Sequence, residues 1–176
     1  MVRYPIVVRV IPGGRKVSFP DFPGCCFNLR PKEGELATEE EFQAAIRSRA
    51  LAWLVGTPEA PGWIPTRLRG GYTIAQPGTY QFRLLNSEIE LEADPLPENL
   101  AAGLEIHWTR VERMKTREEM ARMMAINLDR LAGLEEGQIK ANHRDRVMLR
   151  HVRQSSQTRL RADFARQEED FDILAS

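Results

Sequence analysis

Cysteine is nearly absent from this chain. The two present, Cys25 and Cys26, are adjacent. Neighbours on a strand point to opposite faces, so they make a poor disulfide pair, and a buried strand cysteine is the expected role of Cys25. No apolar run is long enough to span a membrane and no signal peptide is recognisable, so a soluble, cytoplasmic protein is expected. Histidine occurs only as His107, His143 and His151, with no second ligand at metal-binding spacing. Surface positions are expected for all three, and no metal or cofactor. A nucleophile elbow is missing, and the glycines at 13–14 and 70–71 lack the spacing of a phosphate-binding loop, so they read as turns. Net charge is lacking too, but zero is a sum of unlike parts. Residues 1–83 carry 11 basic and 7 acidic side chains; residues 84–109 carry 6 acids and no Lys or Arg; residues 110–166 carry 14 basic and 8 acidic; the last ten carry 4 acids. The acidic block reads as a junction between two regions. The basic block can supply phosphate contacts or a solvated helical surface.

What is present begins with strand patterns. Residues from Tyr4 to Ile11 are rich in β-branched side chains, Pro12-Gly13-Gly14 breaks the run, and Lys16 to Phe19 resumes it, which is a hairpin signal. Pro20-Asp21-Phe22-Pro23-Gly24 is a rigid turn, with two fixed φ angles and one glycine free to leave the ordinary region. Cys25 to Leu29 is a third strand. Thr38-x-x-Glu41 then forms a capping box, and Phe42, Ala45, Ile46, Ala50, Trp53 and Leu54 give one apolar stripe that ends at Gly56. The segment from Pro58 to Gly71 reads as a loop. Further strands are expected at Tyr72–Ile74 and Tyr80–Leu85, with Ile89 and Leu91 extending them or belonging to the junction.

From Leu96 onward the pattern is helical. Pro97 suits a first turn, and Leu100, Leu104, Trp108 and Val111 line one face up to Met114. Thr116-x-x-Glu119 is a second capping box. Met120 and Met124 share a side, Ala121 is small where helices cross closely, and Ala125-Ile126 interrupt the helix. A short second helix follows, carrying Leu128, Leu131 and Leu134 and stopping at Gly137. Two short helices about a tight bend suit a DNA-binding helix-turn-helix, and equally two helices of an ordinary bundle. Arg144 to about Gln167 has a thin apolar stripe (Val147, Met148, Val152, Leu160, Phe164). This predicts a long, partly exposed helix or an arm that packs on a second subunit. The last ten residues are expected to be mobile.

Two stretches together resemble the HicB antitoxin family. Ser18-Phe19-Pro20-Asp21-Phe22-Pro23-Gly24-Cys25, set between the strands and the Thr38 helix start, is similar to that family's turn signature. Leu96-Pro97, Leu100-Ala101-Ala102 and Glu119-Met120-Ala121-Arg122 fall where long members append a helix-turn-helix. The likeness covers most of residues 4–137. Three positions depart from it: Ala125 stands where the bend usually has Gly, Gly133 lies inside the second helix, and Asp129 faces where phosphate or a base edge would be.

The resemblance implies an α+β chain. Residues 1–92 would form a partial ribonuclease H-like (βββαβ) toxin-binding domain, and 93–176 an all-α helix-turn-helix domain with a C-terminal helical arm. It implies no catalysis: residues 1–30 hold one acid, Asp21, and Glu39, Glu40 and Glu41 suit a first helical turn. The implied partners are a small basic HicA-like ribonuclease toxin, met by acids within 33–41 or 84–98, and operator DNA read by a homodimer or higher homo-oligomer. The alternatives are a stand-alone HicB-like regulator and a module whose helix-turn-helix only dimerises. Lys115 and Arg117 are expected on phosphates, and Asn127, Leu128, Asp129 and Arg130 near base edges. From sequence alone, Arg130→Ala is expected to weaken specific operator binding by roughly 1–3 kcal/mol in a titration, and unchanged affinity and preference would remove that role.

Overall fold

The structure, a computed structural model, describes residues 1–30 and 38–155. The expected end of the long helix near Gln167, the mobile tail and the acids Glu33 and Glu35 lie outside them. The fold is α+β. Strands β1 (Pro5–Ile11) and β2 (Gly14–Ser18) form the expected hairpin, with Gly13 at φ 74° in its turn. Strand β3 (Cys26–Leu29) pairs with β2. Helix α1 (Glu39–Val55) opens with both bonds of the Thr38–Glu41 capping box and buries Phe42, Ile46, Ala50 and Leu54.

Beyond α1 the structure departs from the sequence reading. The Pro58–Gly71 segment is no plain loop. It holds a two-stranded hairpin, β4 (Gly56–Thr57) with β5 (Ala60–Pro61), and helix α2 (Trp63–Arg69). Pro65 disguises α2, yet it sits in the first turn, where its missing N–H costs no intrahelical bond. Ile64 and Leu68 are fully buried. Neither Tyr72–Ile74 nor Tyr80–Leu85 is a strand. The fourth strand is β6 (Glu88–Glu92), which pairs antiparallel with β1, Val8 opposite Ile89 and Ile6 opposite Leu91. The sheet order is β3-β2-β1-β6. One face, bearing Ile6, Val8, Val17 and Leu91, meets α1 and α2 in the first core. By the alternation of strands, Glu88, Glu90 and Glu92 lie on the opposite face with Arg9, Val7 and Pro5, their register partners.

Helix α3 (Glu98–Glu112) joins two cores. Leu100 and Leu104 belong to the first, and Ile106 to the second, which is built with Met120, Ala121, Met124, Leu131, Leu134, Leu149 and Val152. The cores therefore meet along a helix rather than at a linker. Helices α4 (Arg117–Met124), α5 (Leu128–Glu135) and α6 (143–155) complete the second core. Met114 does not continue the α3 face; it is 92% exposed, at φ 50°, where the chain leaves the helix. The described part of α6 is not a free arm, because Leu149 and Val152 are spent on the second core.

The crossing of α3 and α5 depends on Gly103. A Cβ there would collide with the Leu134 carbonyl oxygen and stand 2.8 Å from that of Glu135. Both obstacles are backbone and cannot rotate away. Gly103→Ala is therefore expected to lower stability by about 1–3 kcal/mol in denaturant unfolding, despite its better helix propensity. A stabilised variant would show that the helices can separate without loss.

Candidate functional site

Helix α4 is capped by Thr116, whose hydroxyl accepts from the Glu119 amide while the Glu119 carboxylate accepts from the Thr116 amide. It ends at Ala125, which takes the left-handed conformation (φ 52°, ψ 45°) where glycine would be unstrained. Asn127 caps α5, its side-chain oxygen accepting from the Arg130 amide at 2.7 Å. The bend expected between 124 and 128 is therefore present.

The six residues expected at DNA are less free than their types suggest. Lys115 pairs with Glu119 at 3.3 Å. Arg117 turns inward, donating to Glu135 at 2.9 Å and to the Leu68 carbonyl at 2.8 Å. Arg130 donates to the buried Asp145 at 2.7 Å, tying α5 to the start of α6. The Asn127 oxygen is occupied by its cap. Leu128 (40% exposed) and Asp129 lie open at the first turn of α5. Nε and Nη2 of Arg130 are committed to Asp145, which leaves Nη1 as its uncommitted donor. Nearby, Arg122 and Arg144 are exposed. Among the described residues, Arg144 has no ion-pair partner.

Arg117 points to a cluster that sequence reasoning missed. Glu135, fully buried at the end of α5, accepts from Arg110 at 2.7 and 3.2 Å as well as from Arg117. His107 stands 4.0 Å away. Contrary to the expected surface position, His107 is buried, and its Nε2 accepts from the Ile74 amide at 3.1 Å. Trp108 donates to the Ile74 carbonyl. Segment 68–74 of the first half is thus fastened to α3, α4 and α5. Burial works to raise the Glu135 pKa; the adjoining His107 and Arg110, with the charges of Arg110 and Arg117, outweigh it and hold the pKa down at about 2.

Asp21 is also buried. Its carboxylate accepts from the Gly78 amide at 2.9 Å and the Tyr80 amide at 3.1 Å. Around it the turn closes on itself, Phe22 N–H to the Phe19 carbonyl and Phe19 N–H to that of Cys25, with Phe19 against Trp53 and Phe22 against Trp63. Cys25 is half-buried and Cys26 exposed, and both are free thiols. Burial pushes the Cys25 thiol up, with Arg67 opposing. That is the reverse of an activated nucleophile.

Asp21 anchors a segment with an unusual surface. Tyr80, Phe82, Leu84 and Leu85 are all exposed, Leu85 to 55%. Tyr80 and Phe82 line a groove of about 550 Å³ together with Arg3, Glu90 and Glu92. A hollow of about 630 Å³ lies between the chain start, α3 and α6, where Glu98–Arg146 and Glu105–Arg153 already pair. Among the described residues, no group of three or more His, Cys, Asp or Glu could hold a metal ion, and no helix is long and apolar enough to cross a membrane. No protein-family model matches the chain, and no curated protein matches it.

The Glu135 cluster makes a pH-dependent contribution. Its carboxyl is held below the ordinary glutamate range near 4.3, so its stabilisation is complete above about pH 5 and is lost as pH falls toward 2. Glu135→Gln is expected to flatten that acid limb and to cost on the order of 3–5 kcal/mol at neutral pH, since two guanidinium groups lose their buried partner. An unchanged acid limb in urea titrations at several pH values would show that Glu135 does not hold the cluster.

Proposed function

We propose that this chain is a HicB-type antitoxin: it neutralises a small basic HicA-like ribonuclease toxin by direct binding and represses its own operon through α4 and α5. The role of Asp21 carries this reading. The one acid of residues 1–30 is buried as a tether on two backbone amides, and what it tethers is an exposed apolar segment beside an acidic strand. That arrangement suits recognition, with no chemistry asked of the N-terminal half. The β-β-β-α order followed by a later fourth strand supports a partial ribonuclease H-like reading of residues 1–92. The three-residue link between α4 and α5, with α5 exposed at its start, supports the helix-turn-helix reading.

A specific observation favours a second reading of the helical half. Arg117 and Arg130 are already ion-paired with the buried carboxylates of Glu135 and Asp145, which suits a helix pair that dimerises without reading bases.

The gene, expressed with its native flanking DNA and purified by a tag, is expected to bring down a small, basic, stoichiometric companion, seen by intact mass spectrometry, that arrests growth when expressed alone. The protein is also expected to bind its own upstream DNA with an affinity that falls steeply with salt, because phosphate contacts release counterions. Absence of a companion with DNA binding retained would point to a stand-alone regulator. A companion without salt-dependent DNA binding would favour the dimerising module.

A further inference from the structure

Strand β6 is an edge strand, and among the described residues nothing pairs with its outer side. Exposed edges are usually blunted by charged side chains, proline or a bulge. This one has neither proline nor bulge, its register with β1 is unbroken, and its charges are all acidic, Glu-Ile-Glu-Leu-Glu, which repels a like strand and admits a basic one. On the open face, Glu88 is paired with Arg9 and Glu92 with Arg3, but Glu90 has no cation among the described residues. Glu90 lines the same groove as the exposed rings of Tyr80 and Phe82, and the one cation there among the described residues, Arg3, is paired with Glu92. A free carboxylate and aromatic rings in one groove suit a lysine or arginine side chain. On the other face Ile89 is exposed at the edge, continuing the apolar side of the sheet.

We infer that the outer edge of β6 receives an extended segment of a partner protein by strand addition, a segment in which basic and apolar residues alternate. The inference rests on the binding role proposed above and names its surface. Main-chain hydrogen bonds supply affinity, and the alternation supplies specificity: cations meet Glu90, Tyr80 and Phe82, and apolar residues meet Ile89. Charge decides between a foreign strand and a second copy. Residues 84–109 hold six acids and no Lys or Arg. Antiparallel pairing of two β6 strands would set glutamates against glutamates, which is destabilising.

The test is a titration of the labelled full chain with a capped Lys-Val-Lys-Val-Lys-Val-Lys peptide, followed by amide shifts. The expected result is perturbation concentrated in residues 80–92, affinity about tenfold weaker in Glu90→Lys and weaker in the uncharged variant Phe82→Ser, and no binding of the Glu-Val counterpart. Perturbation centred elsewhere, equal binding by Glu90→Lys, or concentration-dependent self-association through 88–92 would overturn the inference. The growth-arresting companion separates the two proposals. If it stays bound to Glu90→Lys, the β6 surface is wrong and the antitoxin reading stands. If no companion exists and the peptide still docks on β6, the surface stands without that reading.

Discussion

The buried carboxylate of Glu135 is the constraint on which the arrangement of this protein depends. Two guanidinium groups and an imidazole surround it, from α3 and from the start of α4. Arg117 continues to the Leu68 carbonyl, and His107 to the Ile74 amide, so the cluster reaches α2 and the segment that follows it. A charge this buried is tolerable only with its partners in place. The position of α5, the course of residues 68–74 and the crossing of α3 at Gly103 are therefore linked. Residues 1–92 and the helices beyond behave in this account as one body with two cores.

That link bears on function. The exposed apolar segment at 80–85 follows shortly after the Ile74 attachment, and the open start of α5 begins the helix that ends at Glu135. Asp21 fixes the first through the amides of Gly78 and Tyr80, and Arg130 with Asp145 fixes the second. Both are carboxylate anchors placed just behind an exposed surface. Much of the strong polar chemistry here goes into holding surfaces in position.

Local signals in the sequence were reliable. The boxes at Thr38–Glu41 and Thr116–Glu119, the bend at Ala125 and the hairpin at Gly13 all depend on neighbours a few residues apart, and each stands as read. Non-local outcomes were not legible. Tyr72–Ile74 and Tyr80–Leu85 have strand-forming side chains, but a strand needs a partner edge, and β1 gives its free edge to β6. Helix α2 was hidden by proline and glycine around a short apolar stretch whose burial only the fold supplies. His107 read as a surface residue because its partners, Ile74 and Glu135, lie about thirty residues away on either side. For the DNA-contact residues, side-chain type was legible but prior engagement was not. Arg117 and Arg130 have the right chemistry for phosphate and guanine, and Glu135 and Asp145 already hold them.

Native-state hydrogen exchange tests the central claim that the two cores form one cooperative unit. If they do, the slowest amides of β1 in the first core and of α5 in the second exchange with the same opening free energy, and Glu135→Gln lowers the α5 value below that of β1. If α5 in the unaltered protein already opens at a markedly lower free energy than β1, the cores are independent and Glu135 does not couple them.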